Sequence, residues 1–75
     1  MVTAKVIDNK DPFGTKYEGL IKGKEYPVEH ISMGQSYTHV RLEGISDLIN
    51  SVCLKFYENG KQLDIYNDKR FNPYL

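Results

Sequence analysis

The stretch Val52-Cys53-Leu54-Lys55-Phe56-Tyr57-Glu58-Asn59-Gly60-Lys61-Gln62-Leu63-Asp64-Ile65-Tyr66 decides the fold class of this chain. Asn59-Gly60 stands between two alternating runs. Both residues tolerate the positive φ that a type I′ turn requires, so the pair is a strong hairpin signal. With these two residues as the loop, Glu58 faces Lys61, Phe56 faces Leu63 and Leu54 faces Ile65. The opposite face then pairs Lys55 with Asp64 and Tyr57 with Gln62. A slip of one residue would set charged side chains against apolar ones, so the register specifies itself. In this pattern Cys53, Lys55, Tyr57, Asp64 and Tyr66 share the outer face of the hairpin.

Working back along the chain, Val2-Thr3-Ala4-Lys5-Val6-Ile7 alternates and ends at the turn cluster Asp8-Asn9-Lys10-Asp11-Pro12. This reads as a first strand and its exit. Residues 13–22 form a long loop with Gly14 and Gly19, anchored inward by Phe13, Tyr17, Leu20 and Ile21. Loops this long in small domains tend to carry function. A second strand covers Lys24 to Ile31. Pro27 has no N–H to give a ladder, which places the strand, or that position of it, at an edge. The apolar phase changes from Tyr26/Val28 to Ile31/Met33, as a bulge near Glu29-His30 would produce. After a turn at Gly34-Gln35, a third strand runs from Ser36 to Leu42. It sends Thr38, Val40 and Leu42 inward and Tyr37, His39 and Arg41 outward. Residues 44–51 are a wide connection or a single helical turn. Asn67 to Leu75 opens with a 3₁₀ turn and docks Phe71 and Tyr74 on the body.

Seventy-five residues make one domain, residues 1–75. So short a chain buries only about 60% of its unfolded surface, so its core must be compact. Closing a sheet is an efficient way for it to avoid exposed edges. The expectation is an all-β fold: a small five-stranded SH3-like barrel with a long first loop and a C-terminal 3₁₀ turn. An OB-like barrel or a helix-on-sheet α+β fold are the alternatives.

Composition narrows the function. Ten basic and ten acidic side chains balance to zero net charge, unlike a chain built chiefly to grip phosphates. One cysteine makes no internal disulfide and suits a reducing compartment, and no Cys/His spacing suggests zinc. No apolar run approaches the roughly 18 residues that span a bilayer, and no leader pattern is present, so the chain is expected to act in a cytoplasm, away from membranes. His30 and His39 stand alone as metal ligands. Cys53 with His39 lacks a third orienting group, so no enzyme activity and no cofactor are expected.

Two motifs carry a resemblance. Leu20-Ile21-Lys22-Gly23-Lys24-Glu25-Tyr26-Pro27-Val28 is similar to the Leu–x–x–Gly–Lys–x–Tyr–x–Val opening of many small SH3-like proteins encoded by phages and prophages of Gram-positive bacteria. Asp68-Lys69-Arg70-Phe71 resembles their terminal turn, where an Arg-Phe pair closes the barrel. The motifs span about half the chain and carry no catalytic residue across. The long Gly14 loop and the Ile45 to Asn50 insertion depart from the pattern. The resemblance implies a phage or mobile-element origin and action inside a bacterial host, by binding host proteins, defence complexes included, or nucleic acid.

Candidate contact residues follow from the outer faces. Tyr37, His39 and Arg41 combine a stacking ring, a hydrogen-bond donor and an anion clamp. Tyr57 and Tyr66 offer aromatic anchors of the kind that dominate protein interfaces. Tyr17 and Lys22 of the long loop, and Ile45 and Leu48 of the connection, are further contacts if exposed. Each set has a plain alternative: a solvated sheet face for the first, cover for the sheet for the tyrosines, and core for the isoleucine and leucine. A non-enzymatic protein-binding module fits these features best, in its sharpest form an inhibitor that occludes a host defence nuclease. A nucleic-acid-binding barrel, with Lys16, Lys22 and Lys24 contributing, or a protein that sequesters a small nucleotide on Arg41, are the alternatives. Monomer and homodimer both fit, the latter through the strand holding Pro27.

Overall fold

The computed structural model describes residues 1–75 and is all-β. Six strands form one antiparallel sheet: β1 (Val2–Val6), β2 (Glu25–Met33), β3 (Thr38–Leu42), β4 (Leu48–Asn50), β5 (Leu54–Glu58) and β6 (Lys61–Leu63). Their order is β4-β3-β2-β1-β5-β6, so the sheet is open, with β4 and β6 at its edges and six strands where five were expected. Two 3₁₀ turns, Ser51–Cys53 and Ile65–Asn67, supply the remaining regular structure.

The Asn59-Gly60 hairpin forms in the expected register, with Glu58 opposite Lys61, Tyr57 opposite Gln62 and Phe56 opposite Leu63. Both loop residues have positive φ, 51° and 84°, as a type I′ turn demands. The ladder stops there. The Asp64 carboxylate accepts from the Tyr66 N–H at 3.0 Å and from the Asn67 amide at 2.7 Å. Such local bonds compete with ladder pairing, and the chain turns into Ile65–Asn67 instead of pairing Ile65 with Leu54 and Asp64 with Lys55. Ile65 still reaches the core, and Leu54 and Lys55 pair with Val6 and Lys5 of β1.

The same device acts before β5. Asn50 Oδ1 accepts from Val52 N–H, opening the Ser51–Cys53 turn. Two-residue alternation fails across it: Val52 faces solvent and Cys53 is buried in the core, not on the outer face.

β2 is an interior strand, not an edge. It pairs with β1 through Glu25–Pro27 and with β3 from Val28 onward. The register shifts between Val28 and His30, the bulge expected at Glu29. Pro27 sits where the strand passes from one neighbour to the other, and its carbonyl accepts from Glu43 N–H at 3.0 Å. Each half of β2 is thus laddered on one side only, Glu25–Pro27 against β1 and Val28–Met33 against β3.

The core unites Ala4, Val6, Tyr26, Val40, Leu42, Ile49, Cys53, Leu54, Phe56 and Ile65 with Tyr17, Leu20 and Ile45. Tyr17 and Leu20 anchor the long loop as expected, but Phe13 and Ile21 are exposed. The Asp11 carboxylate accepts from the N–H groups of Phe13 and Thr15, and Gly14 follows at φ +89°. This tight turn throws Phe13 outward. At the far end Phe71 packs on the core while Tyr74 stays exposed.

Candidate functional site

A groove of about 710 Å³ runs where four separate segments meet. The first loop gives Pro12 and Phe13. The β2–β3 turn gives residues from Met33 to Thr38. The turn after β4 gives Asn50, Ser51 and Val52, and the C-terminal segment gives Tyr66, Asn72 and Tyr74. Four aromatic rings stand in its walls: Phe13 is 84% exposed, Tyr37 58%, Tyr74 57% and Tyr66 45%. Not one lining residue is charged, in a chain where charged residues make up 27%.

Each wall has a local cause. The Asp11 turn presents Phe13, as described. Asn72 Oδ1 accepts from Tyr74 N–H at 2.9 Å and Asn72 Nδ2 donates to the Tyr66 carbonyl at 2.7 Å. Asn72 thus ties the C-terminal segment to the Ile65–Asn67 turn. The hydroxyls of Tyr66 and Ser51 lie 2.5 Å apart, fixing the ring of Tyr66 against the turn after β4. Arg70 holds the segment from outside, with its guanidinium 2.8 Å from Glu58 and 2.7 Å from Asp68.

Beside the groove lies the outer face of β3. His39 and Arg41 share it, with Tyr37 immediately before the strand, and the rings of Tyr37 and His39 pack tilted, with centroids 4.8 Å apart at 51°. Across the register Arg41 stands between His30 of β2 and Leu48 of β4, all three exposed. The structure therefore brings Leu48 to the Tyr37–His39–Arg41 strip.

The other candidates separate. Tyr66 lines the groove, whereas Tyr57 is half-buried in the ladder between Thr3 and Gln62, so they do not form one patch. The Ile65–Asn67 turn, which takes Tyr66 out of the hairpin, is the reason. Tyr17 is buried and structural: its hydroxyl accepts from Asn50 N–H at 3.1 Å and lies 3.3 Å from an Asp11 carboxylate oxygen. Burial pushes its phenol above the ordinary tyrosine range. Ile45 is core, with its side chain close to Gly19 of the long loop. Lys22 is exposed in the turn before β2 and lines no part of the groove.

Sequence reasoning missed Phe13, Val52 and Tyr74 as groove residues, treating the two aromatics as core anchors. The available signal was their setting, beside Asp11-Pro12 and Gly14 in one case and after Pro73 in the other, where turn-formers direct a ring away from the body. Cys53 offers no nucleophile at the surface. It is buried, its Sγ lies 3.6 Å from the Lys10 carbonyl, and burial together with the nearby Asp8 and Asp11 raises its thiol pKa. No three His, Cys, Asp or Glu side chains gather in a way that could hold a metal ion. No helix is long and apolar enough to cross a membrane.

No curated protein and no solved structure matches the chain. Residues 14–75 match the family described as bacteriophage T4 protein Y07B. That stretch holds most of the long loop, strands β2 to β6 and the aromatic C-terminal segment. The match agrees with the phage origin implied by the Leu20–Val28 and Asp68–Phe71 motifs, and it covers most of the sequence: the chain belongs to the bacteriophage T4 protein Y07B family.

Proposed function

We propose that this phage protein is a non-enzymatic binding module that works in the host cytoplasm by holding an extended, uncharged segment of a host protein in the aromatic groove. The observation that carries the reading is the groove's composition: four exposed rings and no charge. Aromatic side chains give large contact area at low entropic cost and concentrate at protein interfaces. A wall without Lys or Arg gives a phosphate nothing to pair with, so the groove itself suits a peptide better than a nucleotide or a nucleic acid backbone. Occlusion of the partner's surface is the mechanism, and a defence nuclease is the narrowest form of the partner that the phage setting suggests.

The long first loop, the 3₁₀ turn between β4 and β5, and the return of β5 to β1 support reading β1 to β5 as an SH3-like barrel, with β6 added at the edge. A rigid platform of this kind holds the groove walls in place without a ligand. The test is capture of host proteins on the immobilised chain, compared with a Phe13→Ala/Tyr74→Ala variant. A host protein enriched by the first and lost from the second is the expected result. Equal recovery on both would sink the reading.

Nucleic acid is the second reading, favoured by the exposed Tyr37 ring near Arg41, which offer a stacking face and a phosphate clamp. Salt-dependent binding of oligonucleotides, lost in Arg41→Gln, would support it. A small nucleotide held by Arg41 would instead raise the melting temperature when added alone.

A further inference from the structure

The groove and the outer face of β3 meet at Tyr37, and they differ sharply in charge. The groove lining carries none. The strip that continues from it bears one fixed cation, Arg41, flanked by the His39 and His30 rings, with Leu48 at its margin. Contact between the two is direct. Tyr37 lines the groove while its ring packs on His39, and Asn50, another groove residue, sits opposite His39 in the register.

Arg41 has no carboxylate in ion-pair reach. Both ion pairs of the chain belong to Arg70, which is saturated by Glu58 and Asp68. Arg41 is thus an exposed, unengaged guanidinium, a group that binds a carboxylate through two parallel hydrogen bonds. Glu29 in the bulge, Glu43 after β3 and Asp47 before β4 are the nearest acids along the chain, and none of them pairs with it.

We infer that the partner segment is bipartite: an uncharged stretch that lies in the groove, followed by Asp or Glu side chains that reach Arg41 across the Tyr37–His39 pair. This rests on the groove reading above and specifies its partner. From Tyr37 to Arg41 is four strand residues, about 13 Å at strand rise. An extended peptide covers that distance in about four residues, so the acidic positions fall about four residues beyond the last ring contact. The sign of the preference follows from the protein alone, because a basic segment leaving the groove would meet Arg41 and gain nothing. An acidic peptide is favoured over nucleic acid because the groove at the other end of the path offers phosphates no cation.

The experiment is selection from a library of random extended peptides on three forms of the full chain: wild type, Arg41→Gln, and Phe13→Ala/Tyr74→Ala. Wild type is expected to enrich peptides with an uncharged apolar core and an acidic end. Arg41→Gln is expected to keep the core and lose the acidic preference. Individual peptides with the acidic end should bind wild type about twofold to fivefold more tightly than the same peptides with amides in place of the acids, the upper part of the range of exposed ion pairs. Arg41→Lys should keep part of that difference. Enrichment of uncharged cores with no acidic bias overturns the inference and leaves the groove reading standing. If wild type enriches no peptide, or if Phe13→Ala/Tyr74→Ala enriches the same ones, the groove reading itself fails. Binding of oligothymidylate with the same Arg41 dependence, in place of acidic peptides, would assign the strip to nucleic acid and also overturn the inference.

Discussion

The Tyr17 hydroxyl lies 3.1 Å from the backbone nitrogen of Asn50, thirty-three residues away, and so seals the outer edge of β4 with a side chain from the first loop. An edge strand exposes unpaired backbone groups that invite another chain. Here one phenol satisfies such a group and pins the long loop at the same time. Tyr17→Phe keeps the ring and removes the bond, leaving a buried N–H unsatisfied. The expected loss is about 1–2 kcal/mol, read as a lower melting temperature or urea midpoint.

The same tyrosine gives an alkaline limb. Its phenol is raised by burial, so the folded protein holds that proton more tightly than the unfolded chain. Its contribution is complete below about pH 10, the ordinary tyrosine value, and is lost as pH rises through the folded pKa. Tyr17→Phe should therefore lose less stability than wild type between neutral pH and the alkaline range. Parallel curves for the two proteins in alkaline denaturation would refute this.

Acid acts at the other end of the molecule. Hydrogen bonds from Arg70 hold the carboxyls of Glu58 and Asp68 below their usual values. Lowered carboxylate pKa values contribute stability above about pH 4, and that stability disappears as pH falls through the folded values. Arg70→Gln should flatten the acid limb of a pH–stability curve and change less in high salt, since the guanidinium is exposed and screened.

Gly60 tests the hairpin. Its φ is +84° and no atom lies within 4 Å of where a Cβ would stand, so space is not the constraint. Gly60→Ala should cost about 1 kcal/mol through left-handed backbone strain alone. An unchanged midpoint in chemical denaturation would mean that the turn relaxes to another type.

Groove residues should separate binding from folding. Phe13 and Tyr74 are largely exposed, so alanine at either is expected to shift stability by no more than about 0.5 kcal/mol. Cys53, by contrast, should react slowly with iodoacetamide in the native protein and rapidly in urea, because burial and a raised thiol pKa both suppress the thiolate. Rapid alkylation of the folded chain would place the thiol nearer the surface than the core packing allows.

Much of the scaffold was legible in the order of residues. Two-residue alternation located β1, β3 and the β5–β6 hairpin, Asn59-Gly60 set the hairpin register, and the phase change after Val28 marked the bulge. These are local properties, governed by side-chain period and by which residues tolerate positive φ. Three of the departures arose where polar side chains capture nearby backbone N–H groups. Asn50, Asp64 and Asp11 each divert the chain at a point where alternation alone predicts continuity or an inward-facing ring. From those diversions come the buried Cys53, the outward Phe13 and the removal of Tyr66 from the hairpin.

The sequence by itself determined an all-β chain, the faces of β1 and β3 and the outward direction of Tyr37, His39 and Arg41. Only the tertiary structure decided that Phe13, Tyr37, Tyr66 and Tyr74, spread over more than sixty residues, converge on one groove from which every charge is excluded. Periodicity reports which side of its own strand a residue takes. Convergence depends on how loops and termini close over the sheet, and that is set by contacts between residues far apart in the chain.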